Sequence, residues 1–224
     1  MTLDSARINW GKLAKRIALY FVVSLICIVI LYPYFVMFLT ALKSREEIFA
    51  MNGTVFPKDW MWENFAEIWK RAPMGQYMLN SIIIAAGSTA IAMICGIPAA
   101  YALARMKFKG QTAFLGFIIV SQMFAPVVLL IGIYKVMQTM ALTNTLLGLV
   151  FINAWNEYTV ALCLISTDTI KPLTVGINIF NGYNIIEWQY LFAGSLVAIV
   201  PVVILFMSIE KNLTSGLTAG GVKG

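Results

Sequence analysis

Long apolar runs that carry no charge alternate with short charged clusters along this chain. Asp, Glu, Lys and Arg are absent from four stretches, which lie between Arg16 and Lys43, Arg71 and Arg105, Lys109 and Lys135, and Glu187 and Glu210. A helix of about 20 apolar residues crosses the hydrocarbon core of a bilayer, and a charge at its centre costs about 2.5–3.5 kcal/mol. The placement of the charges therefore predicts membrane-spanning helices.

The apolar runs predict five helical spans joined by polar connections. These spans are about Ile17–Leu42, Met74–Ala104, Gln111–Tyr134, Leu142–Ser166 and Trp188–Ile209. In the connection 43–73, Trp62, Phe65 and Trp69 recur at helical spacing after Asp59, which we expect to cap the helix. The pattern predicts either a short helix with its aromatic face in the membrane interface or a buried cluster in a loop.

Composition supports the membrane assignment. Hydrophobic residues make up 60% of the chain and charged residues only 12%, and the mean hydropathy is +0.83, whereas about a quarter of the residues in a soluble domain are charged. The chain has no histidine, the commonest metal ligand and proton shuttle. Its three cysteines, Cys27, Cys95 and Cys163, lie inside apolar runs, where we expect them to pack as small hydrophobic side chains.

Basic residues predict the orientation. Arg7, Lys12, Lys15 and Arg16 precede the first span, and Arg105, Lys107 and Lys109 follow the second with no acidic residue among them. Loops rich in Lys and Arg stay in the cytoplasm. We therefore expect a multi-pass inner-membrane protein with a cytoplasmic N-terminus, and this role of the net charge of +6 leaves no reason to expect nucleic-acid binding.

Several motifs occur in an order that resembles a known family. The chain is similar to the smaller permease subunit of carbohydrate-uptake ABC importers of the maltose-transporter type. The matching segments are Leu42-Lys43-Ser44-Arg45-Glu46-Glu47, Asn80-Ser81, Ala100-Tyr101-Ala102-Leu103-Ala104-Arg105, Leu142-Thr143-Asn144-Thr145, Ala154-Trp155-Asn156-Glu157-Tyr158 and the Gly-rich tail Gly216–Gly224.

The resemblance implies an all-α, polytopic helical bundle with six helices. It divides the chain into a cytoplasmic segment 1–16, a transmembrane permease domain 17–209 and a tail 210–224. Expected partners are a second permease subunit, an ATPase dimer, a solute-binding protein and the lipid bilayer. We expect this chain to bind no cofactor, because it has no phosphate-binding Gly-x-x-x-x-Gly-Lys-Ser/Thr loop; the partner subunits use the ATP.

The chain departs from the family in one region. Permeases of this type carry a cytoplasmic Glu-Ala-Ala loop that docks into the ATPase, and no such sequence occurs here. By resemblance, the missing loop would lie near residues 150–151. Either a true deletion or an unrecorded stretch explains its absence. The remaining stretch Leu142–Ser166 can cross the membrane once, which would place the tail outside, or loop back without crossing.

Polar residues within or beside the spans are the candidates for solute contact. They are Asn80, Gln122, Asn153, Trp155, Asn156 and Glu157. A charged residue inside a span is a functional candidate by default. The alternatives are that Glu157 lies at the outer surface and that Asn80 and Gln122 only bond a neighbouring helix.

Two further groups are expected to face partners. The resemblance directs Asn178, Asn181, Gly182 and Asn184 toward the binding protein, and Gly220, Gly221, Lys223 and Gly224 toward the ATPases. An ordinary turn-rich loop and a frayed terminus are the respective alternatives. Two other functional classes stay open from the residues alone: a stand-alone secondary transporter and, less favoured, an intramembrane enzyme.

Overall fold

The computed structural model describes residues 10–51, 53–123, 126–153, 162–182 and 185–221. Within these ranges the regular structure is helical, as expected. The helices are α1 (Trp10–Ala41), α2 (Arg45–Ile48), α3 (Glu63–Arg71), α4 (Met74–Arg105), α5 (Gln111–Gln122), α6 (Pro126–Thr139), α7 (Leu146–Asn153), α8 (Leu173–Gly176) and α9 (Trp188–Gly221). Two 3-10 turns, Asp168–Ile170 and Ile177–Phe180, flank α8.

Three of the described helices are long and apolar enough to cross a membrane: α1, α4 and α9. They correspond to the first, second and last predicted spans, although α1 ends one residue before the predicted Leu42, and each continues through an internal proline, Pro33, Pro98 or Pro201. A long helix in lipid tolerates proline because neighbouring groups satisfy the freed carbonyl. Helix α9 extends beyond its predicted end at Ile209, so that the start of the predicted tail is helical as far as Gly221.

The predicted third span, Gln111–Tyr134, is wrong as a single helix. The structure has two helices there, α5 and α6, and the second begins at Pro126. Proline lacks the N–H that a helix interior needs but fits the first turn, where that N–H has no partner in any case. Gln122 is therefore the last residue of α5 rather than the centre of a span.

The predicted amphipathic helix in the outer connection is present as α3, but its cap and its buried face differ from the expectation. The N-cap position is Trp62 and not Asp59, and no side chain caps it. Ile68 and Asn64 are buried, Phe65 packs against the core, and Trp69 remains half exposed. The aromatic residues therefore do not share one face directed at the membrane.

One buried cluster joins the ends of the three long helices, and we call it the outer cap. Its members are Ala41, Ile68, Ala72, Met74, Tyr77, Leu173, Ile177, Phe180 and Ala193. The cluster combines the end of α1 with the starts of α4 and α9. Because α4 ends at the basic residues predicted to be cytoplasmic, we expect the cap on the opposite, outer side, and the names outer and inner below follow this expectation.

The stretch Leu142–Ser166 loops back instead of crossing. The N–H of Ser166 donates to Oδ1 of Asn144 over 2.7 Å, and the N–H of Asn144 approaches the carbonyl oxygen of Leu164 at 3.4 Å, so the two ends of the stretch meet. Asn144 adopts φ +56°, a left-handed conformation that asparagine tolerates better than most residues. Residues 154–161, within this stretch, lie outside the described residues.

Helix α7, in the same stretch, packs against the outer half of α4. Val150 lies over Gly87, where an added Cβ would sit 3.0 Å from two methyl groups of the valine. Ile84, Leu149, Val150 and Ile165 form the buried contact. Glycine at position 87 therefore permits a close helix approach, which stabilises helix pairs in lipid through packing alone.

The path of α5 and α6 completes the topology. The side-chain amide of Gln111 donates to the carbonyl oxygen of Leu103 over 2.7 Å, near the cytoplasmic end of α4. At the far end, Met137 of α6 is buried with Ile152 and Leu164 of the looped-back stretch. The α5–α6 pair therefore runs from the inner to the outer side, and α9 returns the chain to the cytoplasm.

This topology predicts that both termini are cytoplasmic. With Cys27, Cys95 and Cys163 replaced, single cysteines at Met106 and Ser215 should react with an impermeant thiol reagent only after the cells are permeabilised. A cysteine at Asn181, an exposed residue of the outer loop, is the matched control and should react in intact cells. Reaction of the Ser215 cysteine in intact cells would contradict the looped-back path.

Candidate functional site

Asn80 is fully buried at the outer end of α4 and ties that helix to the loop before α8. Its side-chain amide donates to the carbonyl oxygens of Thr169 and Lys171 over 2.9 and 3.0 Å. Its own oxygen accepts a bond of 3.1 Å from the side chain of Gln76. The side chain thus satisfies two carbonyl groups of irregular backbone, which is costly to leave unpaired near lipid.

The two neighbours of Asn80 on α4 fix the same loop. Ser81 Oγ accepts a bond of 2.7 Å from the N–H of Leu173, the first residue of α8. The ring of Tyr77 lies against Gly176, where an added Cβ would be 2.3 Å from a ring carbon. Only glycine allows this approach, so α8 is held on α4 by the bond that Ser81 accepts and by the ring contact, while the two bonds that Asn80 donates hold the residues just before α8.

The outer connection is fixed to α1 in a similar way. The buried side-chain amide of Asn64 donates to the carbonyl oxygens of Ala41 and Lys43 over 2.8 and 3.0 Å. These carbonyls end α1 and would otherwise lack a partner. With these two hydrogen bonds, Asn64 caps the end of α1 and holds α3 against it.

A carboxylate orders the middle of this connection. Glu47 accepts bonds from the Thr54 hydroxyl at 2.7 Å and from the N–H of Lys58. The Thr54 bond is the main cause that holds the pKa of Glu47 below its usual value, aided by the Lys58 amide and the charges of Lys43 and Lys58, against a smaller effect of burial. The resulting stability is present above the ordinary carboxyl pKa and is lost as the pH falls through the lowered one.

Arg71 connects α3 to the start of α9. Its guanidinium lies 3.3 Å from Glu187, 3.4 Å from Glu67 and 4.4 Å above the ring of Tyr190. These groups are partly exposed, so each ion pair contributes little by itself. Their combined geometry nevertheless fixes how α3 meets the outer end of α9.

A cleft of about 410 Å³ opens beside the outer cap, between α1 and α9. Its walls are mainly apolar, with Met37, Leu191 and Phe192 among them, and polar groups enter from Thr174, Asn178 and Ser195. An apolar cleft with a few converging polar groups is the usual form of a small-molecule site.

The structure separates the candidates predicted for solute contact. Asn80 is buried in the loop contact described above, Gln122 is exposed at the end of α5, and Asn153 ends α7. Trp155, Asn156 and Glu157 lie outside the described residues. Their role in solute contact stays a prediction.

Of the residues predicted to face the binding protein, Asn178 is half-buried and lines the cleft, while Asn181 and Gly182 are exposed. Asn181 pairs with Ile186 in an isolated bridge that closes the loop. Asn184 lies outside the described residues. Gly220 and Gly221 end α9, and Lys223 and Gly224 follow beyond the described part.

Sequence reasoning missed the residues that build the outer cap. Tyr77, Ser81, Asn64 and Arg71 act across 21 to 116 positions of the chain. Asn64 carried one signal, since it is a polar residue on the face that Ile68 also occupies. In the part of the chain that the structure describes, no group of three His, Cys, Asp or Glu residues can hold a metal ion.

Comparison with known proteins finds relatives that are transport permeases. No family model matches the chain. It is 26% identical over 272 positions to the inner membrane ABC transporter permease protein YcjP of Escherichia coli (strain K12), covering 94% of this chain and 97% of the relative. The chain is thus similar to ABC transporter permeases, as the resemblance predicted. This similarity and the three membrane-spanning helices indicate a multi-pass inner-membrane transport subunit rather than a stand-alone secondary transporter.

Two further matches support this assignment. The permease is 24% identical over 253 positions to the melibiose/raffinose/stachyose import permease protein MelC of Bacillus subtilis (strain 168), with 86% of this chain and 91% of the relative covered. A crystal structure of a bacterial ABC transporter involved in the import of the acidic polysaccharide alginate has the same fold, with a TM-score of 0.65, 15% identity and coverage of 90% of this chain and 97% of that chain.

The Asn80 contact generates a prediction about stability. Asn80→Asp keeps the shape but replaces the donating amide with a carboxylate beside two carbonyl oxygens, so we expect unfolding in detergent at a lower temperature and a loss of about 1–3 kcal/mol per unpaired group. Gln76→Ala, which removes only the exposed partner, is the control and should cost less than about 1 kcal/mol. An Asn80→Asp variant as stable as the wild type would contradict this structural role and leave solute contact as the interpretation of Asn80.

Proposed function

We propose that this permease forms half of the transport path for a sugar, oligosaccharide or polyol, together with a second permease subunit. Two ATPase subunits and a solute-binding protein complete the importer. The observation that carries the substrate class is the similarity to MelC, whose name states import of melibiose, raffinose and stachyose, together with 26% identity to the sulfoquinovosyl glycerol transport system permease protein SmoH.

The cleft beside the outer cap is the part of the structure best suited to meet a solute. It lies on the outer side, where the solute is delivered, and Thr174, Asn178 and Ser195 bring hydroxyl and amide groups to an otherwise apolar wall. Such groups exchange hydrogen bonds with sugar hydroxyls, while Phe192 offers an aromatic surface. Asn156 and Glu157 remain the proposed contacts deeper in the path.

We also propose that the chain lacks the segment that couples transport to ATP hydrolysis. The YcjP alignment extends over 272 positions but uses 94% of a 224-residue chain, which leaves about 60 positions of the relative without a counterpart. The alignment with MelC, 253 positions over 86% of the chain, leaves a similar number. This total of unmatched positions is large enough to include the Glu-Ala-Ala loop that the chain lacks.

The looped-back stretch supports the same proposal. Between α6 and α9 the described chain stays on the outer half of the bundle, so it presents no cytoplasmic loop there. The inner half of α4 is correspondingly uncovered, with Ile94, Ile97 and Tyr101 about 60–70% exposed. Two helix halves and a cytoplasmic loop are what an ABC importer permease would place against this surface.

The test is to reconstitute the 224-residue chain with the partner permease, ATPases and binding protein, beside a chimera that carries the corresponding segment of YcjP between Val150 and Phe151. We expect the unmodified 224-residue chain to lack solute-stimulated ATP hydrolysis and the chimera to show it. Hydrolysis by the unmodified chain near that of the chimera would refute the coupling proposal. A coupled chimera that imports no carbohydrate or polyol would refute the substrate class alone.

The same chimera tests the contact proposed for Glu157. Glu157→Gln keeps the side-chain shape but removes the charge, so we expect reduced solute uptake with unchanged recovery of the ATPases on purification. Glu210→Gln, near the end of α9, is a control that removes an acidic residue remote from the proposed path. Unchanged uptake kinetics in the Glu157 variant would show that this carboxylate has no role in the path.

A further inference from the structure

An aromatic cluster covers the outer end of α1. The ring centroids of Trp60 and Trp62 lie 6.3 Å apart and nearly parallel, Trp62 meets Phe38 edge-on at 6.1 Å, and Phe56 meets Phe35 edge-on at 6.4 Å. Two of these residues belong to α1 and three to the connection that follows it. We call Phe35, Phe38, Phe56, Trp60 and Trp62 the aromatic collar.

The collar is exposed although it is apolar. Phe35, Phe56, Trp60 and Trp62 each expose about half or more of their surface, between 48% and 60%. None of the five belongs to the buried cluster of the outer cap. Large aromatic side chains left open in this way indicate a surface that meets another phase or another molecule.

Hydrogen bonds hold the connection against α1, so the collar is preformed. The N–H of Met61 donates to the carbonyl oxygen of Leu42 over 2.8 Å, and Lys43 Nζ donates to the carbonyl oxygen of Thr54. The Thr54 hydroxyl contacts both the carbonyl oxygen of Phe56, at 2.8 Å, and the carboxylate of Glu47, at 2.7 Å. These bonds fix the backbone that carries Phe56, Trp60 and Trp62 against the end of α1.

The depth of the collar is fixed by the charges of α1. Arg16 is the last charged residue before the long apolar run. About 20 residues at 1.5 Å each cover the roughly 30 Å of hydrocarbon, which places the outer boundary close to Val36. Phe35 and Phe38 flank this position, and the connection brings Phe56, Trp60 and Trp62 to the same level.

We propose that the aromatic collar anchors the outer end of α1 in the headgroup region of the outer leaflet, with phospholipid as its occupant. The collar continues the exposed apolar surface of α1, which includes Leu31 and Tyr34, so both meet the same bilayer. Tryptophan favours this boundary because its ring is apolar while its indole N–H bonds to water and headgroups. The two tryptophans thereby set the depth of α1 and of the outer cap that is built on its end.

The experiment measures tryptophan fluorescence of the full chain in phosphatidylcholine vesicles that carry bromine either near the headgroup or near the ends of the acyl chains. We expect stronger quenching by the shallow bromine, and we expect the Trp60→Phe, Trp62→Phe double variant to lose most of that excess. The matched control is the Trp69→Phe, Trp188→Phe double variant, which removes two other tryptophans of the outer side and should retain the excess. Both pairs are partly exposed, so phenylalanine is tolerated at each.

Aqueous iodide provides the opposing readout. If iodide quenches Trp60 and Trp62 and brominated lipid does not, the collar faces water, as a protein-docking or sugar-binding platform would, and the proposal is overturned. Protection from both quenchers would show that protein covers the collar and would overturn it equally. Stronger quenching by the deep bromine would place the rings inside the hydrocarbon and contradict the proposed depth.

Discussion

The association of the three long helices depends on the buried core at their outer ends. Helices in lipid gain no hydrophobic free energy by pairing, so close packing and hydrogen bonds must hold them together. In this chain those interactions concentrate at the outer cap, where Tyr77 packs on Gly176, Asn80 bonds the loop before α8 and Asn64 ends α1. Toward the cytoplasm, the same helices expose apolar side chains to their surroundings.

This arrangement separates the two jobs of an importer permease. The outer half has the cap, the polar-edged cleft and the loop to which we assign solute reception. The inner half offers the loop 106–110 and the end of α9, whereas the two ends of the stretch Leu142–Ser166 meet on the outer half. The proposed loss of the coupling segment therefore concerns the inner half alone.

The looped-back stretch also shows how backbone that does not cross the membrane is held within the bundle. Backbone polar groups in lipid must find partners within the protein. Asn144 supplies such partners where the two ends of the stretch meet, and Gly87 lets α7 lie close on α4. The chain keeps its last helix in the orientation that the family requires because the stretch returns to its starting side.

The sequence by itself determined that the protein lies in a membrane, its helical class, the bounds of α4 to within one residue, the presence of α3 and the resemblance to ABC importer permeases. Each of these follows from local pattern: charge-free length, periodicity and short motifs. The tertiary structure decided what the pattern left open. The third predicted span is two helices, and the second begins at Pro126. The N-cap position of α3 is Trp62 rather than Asp59, and Phe65 packs against the core. The two ends of Leu142–Ser166 meet on the same side. These outcomes depend on contacts between residues far apart in the chain, such as Asn80 with Lys171 and Arg71 with Glu187. The hydropathy of a sequence does not indicate which distant partner satisfies a polar group.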